Sequence, residues 1–205
     1  GAAALNQGDW PAARSALAAL KAYESGYKDA FELERQSYLR PAQQALEAGQ
    51  WETARQTLQP LLADGASPFF PAASALRRES YLRPAREALA AQAWETVRAT
   101  LASWLKENKA DEEARELERQ SYLRPAQQAL EAGQWEAVRT TLEPLLKQNK
   151  GDAEARALVC ESYYRPGAAA LNQRDWPAAR SALAALNAYE TGYKDAFELE
   201  RQSYL

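Results

Sequence analysis

The sequence predicts an all-α solenoid of about five tandem helix–turn–helix repeats. First, the pair Arg-Pro recurs at 40/41, 83/84, 124/125 and 165/166, with spacings of 43, 41 and 41 residues. Second, tryptophan follows the same period, at Trp10, Trp51, Trp94, Trp135 and Trp176. Third, strong helix formers dominate the composition and isoleucine is absent, which disfavours β-sheet. Repeats of this length stack so that each one buries its apolar face against its neighbours.

Each predicted repeat has a long helix A, a tight turn and a shorter helix B. The apolar face of the first complete helix A follows i, i+3, i+4, i+7 spacing through Ala30, Leu33, Ser37, Tyr38, Ala42, Ala45 and Leu46. Gly49 ends this helix, and Trp51 begins a helix B whose apolar face comprises Ala54, Leu58, Leu61 and Leu62. Because neither amphipathic helix can bury its own face, the core is expected to lie between stacked helices.

One solenoid is predicted over residues 1–205. Its repeats are placed at 1–40, 41–83, 84–124, 125–165 and 166–205, and the first and last of them are partial.

A proline lies inside every predicted helix A, and Pro41 is the first. An interior proline removes one backbone hydrogen bond and clashes with the preceding turn. We favour a single helix kinked near Arg40, because the apolar stripe continues in phase past the proline. The alternative is two helices that break at Leu39, with Pro41 in the first turn of the second.

The connections between repeats carry ordinary stop and start signals. Asp111 and Asp152 are predicted to cap the helices that follow them. The connection before Phe70 is two residues longer than the others, which accounts for the spacing of 43. Phe70 aligns with Tyr27 and Tyr193, and these aromatic residues are expected to staple the start of helix A.

The two ends of the chain are near-copies of each other. Residues 1–39 and 167–205 differ only at Gly8/Arg174, Lys21/Asn187 and Ser25/Thr191. Each end is therefore predicted to be half a repeat with an exposed core face. We expect the chain to be a processed product, an engineered chain or a piece of a longer one. The candidate self-assembly residues at these ends are Ala4, Leu5, Leu199, Tyr204 and Leu205.

The pattern Gly49-x-Trp51-x-x-Ala54-x-x-x-Leu58-x-x-Leu61-Leu62 resembles the second half of a tetratricopeptide repeat. Tyr38, Ala42 and Ala45 resemble the first helix of that family. The unit departs from the family in its length, about 41 residues against the usual 34, and in its proline. The resemblance implies a right-handed superhelix whose concave face, lined by helix A, binds peptides or proteins.

Candidate partner-binding residues lie around the repeated proline. Four arginines recur at one position per repeat, where they could hold carboxylates or phosphates. The alternative is that they bond carbonyls loosened by the proline, or glutamates of an adjacent repeat. The arginines and the residues before them are Arg40, Arg83, Arg124, Arg165, Leu39, Leu82, Leu123 and Tyr164. In the long connection, Phe69 and Phe70 are flanked by Pro68 and Pro71. Phe69 is a candidate exposed hook for a partner.

Two other kinds of residue have a structural alternative. The repeated tryptophans could stack on bases or sugars, but their recurrence at a turn-to-helix position favours packing between helices A and B. Trp104 stands where other repeats have leucine and is predicted to fill the core. Val159 and Cys160 replace charged residues in one repeat only, which indicates either a contact patch or drift at a half-exposed site.

Composition argues against an enzyme. The chain has no histidine, so imidazole-based acid–base chemistry is absent. Its single cysteine has no imidazole partner, and no glycine-rich phosphate loop occurs. No cofactor or metal is predicted. The net charge of −3 does not suggest nucleic-acid binding, and no apolar run approaches the roughly 18 residues of a membrane span.

Two functions from different classes fit this sequence. The first is a non-enzymatic scaffold that binds a protein or peptide through the helix-A face. The second is a structural protein, or a piece of a long array, that stacks head-to-tail into a filament through its similar ends. The sequence carries no secretory signal pattern and leaves the compartment open.

Overall fold

A computed structural model of the chain describes residues 2–23, 29–63 and 69–204. Over these ranges the chain contains eleven α-helices and no β-strand, which confirms the predicted all-α solenoid. The helices are α1 (Ala2–Asn6), α2 (Trp10–Tyr23), α3 (Ala30–Glu47), α4 (Trp51–Leu62), α5 (Phe70–Ala90), α6 (Trp94–Glu107), α7 (Glu112–Glu131), α8 (Trp135–Gln148), α9 (Ala153–Asn172), α10 (Trp176–Tyr189) and α11 (Ala196–Gln202).

The odd-numbered helices correspond to helix A and the even-numbered ones to helix B, and every helix B begins at its tryptophan. The chain forms two compact units, Gly1–Ala114 and Arg115–Leu205. In the first unit the helices α1 to α6 pack in sequence, and α3 also contacts both α1 and α5. In the second unit α8, α9, α10 and α11 pack in sequence, and α9 also contacts α11. Contact between successive A helices is the packing expected of a solenoid.

The core of each unit is made of small and large apolar residues at fixed positions of the repeat. The residue three after the tryptophan that begins each helix B is fully buried, and so is the leucine four residues further on. These positions are Ala13, Ala54, Val97, Val138 and Ala179, and then Leu17, Leu58, Leu101, Leu142 and Leu183.

A buried serine in each helix A explains why Ser-Tyr recurs. A serine is small enough for close helix packing, and its hydroxyl can bond the carbonyl one turn earlier in its own helix. The Oγ of Ser80 donates to the Arg77 carbonyl at 2.6 Å, and that of Ser162 donates to the Val159 carbonyl at 2.7 Å. The same bond forms at Ser37, Ser121 and Ser203.

The A helices run through their prolines. Pro41, Pro84, Pro125 and Pro166 each lie inside one continuous helix. The alternative of two helices that break at Leu39 is therefore wrong.

The turn between helices A and B requires left-handed backbone. Gly49 and Gly133 have φ of +69° and +70° there. Arg174 occupies the same turn with φ of +58°, a conformation that costs a side-chain-bearing residue about 1–2 kcal/mol. Glycine stands at most of these turns because it adopts a positive φ without this cost.

The tryptophans lie mainly between helices. Trp51 packs against Ala45, Leu46 and Ala54, and Trp135 is likewise half-buried against the core, whereas Trp176 is exposed. Trp104 is buried, as predicted for a core residue. Tyr27, one of the predicted staple residues, lies outside the described residues.

Candidate functional site

The four repeated arginines lie on exposed surface of the A helices. Arg40 and Arg83 belong to the first unit, and Arg124 and Arg165 belong to the second. None of the four side chains is buried, so each guanidinium can be reached from solvent.

The contacts of these arginines run along their own helix. Arg83 lies 3.5 Å from Glu79, and Arg165 lies 2.9 Å from Glu161. Arg124 donates to the Gln120 side chain at 3.3 Å. In all three cases the partner stands four residues earlier in the same helix, a spacing that gives weak, solvent-exposed pairs. The predicted alternative partners, in an adjacent repeat or at the proline, are not the ones observed for these three.

The residues that precede the arginines are not free surface. Leu82 and Leu123 are buried in the core, because a residue one position away on a helix is rotated by about 100° and here faces the neighbouring helices. Leu39 is half-buried against the same kind of core. Tyr164 is half-buried, and its hydroxyl donates to Asp195 at 2.7 Å. The expectation that Leu82 and Leu123 contact a partner is therefore corrected: both hold the solenoid together.

Phe69 is a core residue, so its interpretation as an exposed hook is wrong. Its side chain is 5% exposed and packs with Ala42, Leu58 and Ala73. The Phe31 ring lies 4.3 Å from it, centroid to centroid. The extra residue in the long connection thus fills space between α3 and α5.

The candidate self-assembly residues differ in exposure. Leu5 is buried and Leu199 packs into a core cluster with Cys160 and Leu183. Ala4 is partly exposed, and Tyr204 is exposed with the Arg180 guanidinium 5.0 Å from its ring centroid. Leu205 lies outside the described residues.

A second arginine in two of the A helices, α5 and α7, makes strong ion pairs that sequence reasoning missed. Arg78 donates to both carboxylate oxygens of Asp111 at 2.7 and 2.8 Å, and the Trp104 indole donates to Asp111 at 2.9 Å. Arg119 donates to Asp152 at 2.7 and 3.2 Å. The arginine hydrogen bonds outweigh burial and hold the pKa of both aspartates below the usual range.

These aspartates also act as the predicted helix caps. Asp111 accepts from the Ala114 amide at 3.2 Å, and Asp152 accepts from the Ala155 amide at 3.0 Å. The signal that could have revealed the ion pairs is a paired substitution. Cys160 stands at the position of Arg78 and Arg119. Tyr193 stands at the position of Asp111 and Asp152, so both members of the pair change together.

A guanidinium–tyrosine stack at the helix B to helix A contact was also missed. Arg55 lies over Tyr81 at 4.5 Å, and Arg139 lies over Tyr163 at 4.4 Å, from guanidinium carbon to ring centroid. The same stack joins Arg14 to Tyr38 and Arg180 to Tyr204. Such stacks contribute about 0.5–2 kcal/mol and account for the tyrosine in the repeat.

Val159 and Cys160 are buried, so the interpretation of their substitution as drift at a half-exposed site is wrong. Burial, together with the nearby Glu190 carboxylate, raises the pKa of the Cys160 thiol to about 12. A thiol with such a pKa is protonated at neutral pH and is a poor nucleophile. Val159 packs in a core cluster with Val138 and Leu142 of α8, and Cys160 packs with Leu183 and Leu186 of α10.

The described ranges contain no cluster of three or more metal-ligating side chains of the histidine, cysteine or carboxylate type. In the same part of the chain, no helix combines the length and hydropathy needed to cross a membrane. Comparison of the sequence and structure with protein-family models, curated proteins and solved structures finds no significant match.

Proposed function

We propose that this chain is a non-catalytic, tetratricopeptide-like scaffold that binds a segment of another protein through the exposed face of its A helices. The observation that carries the proposal is the recurrence of one solvent-exposed arginine per helix A, at Arg40, Arg83, Arg124 and Arg165. Three of them, Arg83, Arg124 and Arg165, have as present partner a side chain four residues earlier, which a carboxylate of a partner could displace or share.

In each unit, other polar side chains lie near these arginines. Gln43 and Glu47 are exposed on α3, one and two turns after Arg40, and Gln127 is exposed in the equivalent position of α7. Amides and carboxylates beside an arginine suit hydrogen bonds to peptide backbone and to polar side chains. The partner is therefore expected to be a polar segment with acidic residues.

Site-specific photo-crosslinking tests this proposal. A benzophenone amino acid in place of Gln127 or Gln43 should give a crosslinked protein from a cell extract. The same amino acid in place of Glu95, an exposed residue at the start of α6, serves as the matched control. Changing the four arginines to glutamine should abolish the helix-A product. Equal products from all positions, or a product unaffected by the arginine changes, would reject the proposal.

Head-to-tail stacking of copies is a second candidate, favoured by one observation. Residues 26–39 and 192–205 are identical, yet Phe31 is stacked on Phe69 whereas Phe197 is 72% exposed. Phe31 is 48% exposed even with its partner, so a second chain that covers Phe197 would give that ring the aromatic contact that Phe31 already has in the same sequence context. Light scattering over a concentration series should then show growing particles, and Phe197→Ser should prevent growth. A constant monomer mass would exclude this candidate.

A further inference from the structure

Two equivalent places in the solenoid differ in chemistry. In the first unit, Arg77 of α5 forms an ion pair with Glu107 of α6 at 2.7 Å, and its guanidinium lies 5.7 Å from the Trp104 ring centroid. In the second unit, Val159 of α9 stands at the position of Arg77, and Tyr189 at the end of α10 stands at the position of Glu107. Both line the same groove. A pair of charged side chains is thus replaced by two apolar ones.

An open groove lies between α8, α9 and the end of α10, and the replacement makes it more apolar than the groove at the equivalent place of the first unit, which Arg77 lines. The groove has a volume of about 450 Å³, within the range of about 300–1,000 Å³ that is common for ligand sites. Its apolar surface comes from Leu146, Val159, Tyr163 and Tyr189. The rings of Tyr163 and Tyr189 are 6.4 Å apart and tilted, and Tyr189 is 41% exposed. An exposed tyrosine ring beside a buried valine offers a surface for another apolar side chain.

Charged residues surround this apolar surface, and most already have partners. Arg156 pairs with Glu190 at 3.0 Å, and Lys147 pairs with Glu143 at 2.7 Å. Lys150, on the rim, has no carboxylate within 4.0 Å in the part of the chain that the structure describes. The groove therefore has one cation available for a carboxylate from outside.

We propose that this groove binds a protein segment in which a phenylalanine-sized side chain stands next to a carboxylate. The aromatic side chain would lie against Val159, Tyr163 and Tyr189, and the carboxylate would meet Lys150. Rim carboxylates such as Glu143 and the net charge of −3 oppose a nucleic acid. A polypeptide is the macromolecule that presents an aromatic ring and a carboxylate on neighbouring residues, as this groove requires.

The groove is separate from the arginine face of the proposed function. Arg165 follows Tyr163 by two residues, which places it about 200° away around α9. The two surfaces lie on opposite sides of that helix, so each can be tested without the other.

Methyl NMR can locate binding, because the chain has only three valines, Val97, Val138 and Val159. The probe is the blocked tripeptide Glu-Phe-Glu with a 4-fluorophenylalanine ring. On titration, the Val159 methyl signals should shift, whereas those of Val97, fully buried in the other unit, should not. The blocked tripeptides Glu-Ala-Glu and Lys-Phe-Lys should bind at least fivefold more weakly.

Two variants, read through the fluorine signal of the probe, complete the test. The double change Val159→Arg with Tyr189→Glu installs the charged pair of the first unit and should weaken binding at least tenfold. Lys150→Glu leaves the core intact and should weaken binding about fivefold. Lys109→Glu, the equivalent change in the first unit, should have no effect.

Any of four outcomes would overturn the proposal. These are unshifted Val159 methyls at saturating probe, equal binding of the alanine peptide, equal binding of the lysine peptide, or stronger binding of oligothymidylate at Val159. The helix-A crosslinking experiment has a separate readout, so its failure would leave this result standing.

Discussion

Arg119 donates two hydrogen bonds, 2.7 and 3.2 Å long, to the Asp152 carboxylate that caps α9. A third bond, 2.7 Å long, joins Arg119 to Glu154. The arginine stands on the helix A of one repeat and the aspartate begins the helix A of the next. This contact fixes where successive A helices meet within the second unit.

The strength of this contact can be measured by a double-mutant cycle. Asp152→Asn keeps a capping side chain but removes the charge, and should lower the free energy of unfolding by about 1.5–3 kcal/mol, as expected for a hydrogen bond to a charged group. Together with Arg119→Gln, urea denaturation should give a coupling energy of at least about 1 kcal/mol. Lys147→Gln, in an exposed pair, should cost no more than about 0.5 kcal/mol. A coupling energy near zero would contradict this role.

Glu161 should make stability depend on acid pH. Burial alone would raise its pKa, but hydrogen bonds from Lys194, Tyr193 and Arg165 outweigh this and lower the pKa to about 2. Because the folded-state pKa lies below the unfolded-state value, Glu161 stabilises the fold fully above the unfolded-state pKa. That stability is lost as the pH falls through the folded-state pKa.

Urea unfolding of Glu161→Gln and of the unaltered chain checks this between pH 7 and pH 2. The difference in unfolding free energy should be constant above about pH 5 and shrink towards pH 2. Lys194→Gln removes one donor to Glu161 and should move the decrease to higher pH. A difference that does not change with pH would show that the ionised carboxylate is not what stabilises this site.

Gly167→Ala should destabilise the fold, although alanine stands at this position in other repeats. A Cβ atom at residue 167 would lie 2.8 Å from Cγ of the buried Leu183. Overpacking of this kind costs about 1–3 kcal/mol, more than the gain of up to about 1 kcal/mol in helix propensity. A lower thermal midpoint is expected for Gly167→Ala and a near-unchanged one for Gly151→Ala. In a Leu183→Ala background, which lacks the Cγ atom, Gly167→Ala should no longer destabilise the fold, and a more stable single variant would contradict the packing described.

Arg174→Gly should stabilise the chain by about 1 kcal/mol, because residue 174 has φ of +58° and an exposed side chain. The expected rise in thermal midpoint is about 2–4 °C for a chain of this length. Gly133→Ala, at the same turn with φ of +70°, should lower the midpoint. Equal midpoints for the three proteins would mean that the turn conformation carries no strain.

Most helix bounds were predictable because a local signal marks them. Tryptophan begins every helix B, glycine follows most A helices, and an aspartate caps α7 and α9. The burial of Phe69 and Leu82 was not predictable from the sequence. Periodicity assigns a residue to one face of a helix, but it does not say which face packs against the next helix. The groove beside Val159 was predictable only in part. Its substitution was visible in the sequence, but its partner Tyr189 is 30 residues away and is brought near by the packing of α9 and α10.

The central claim is that neighbouring helical hairpins supply the apolar cover that a single hairpin lacks. The most direct test is circular dichroism of the isolated fragment 134–172, which contains α8 and α9, during thermal unfolding beside the whole chain. We predict weak helicity in the fragment and no cooperative transition, against strong helicity and a cooperative transition in the whole chain. The claim would be contradicted if the fragment had the helix content that residues 134–172 have in the whole chain and lost it in a cooperative transition.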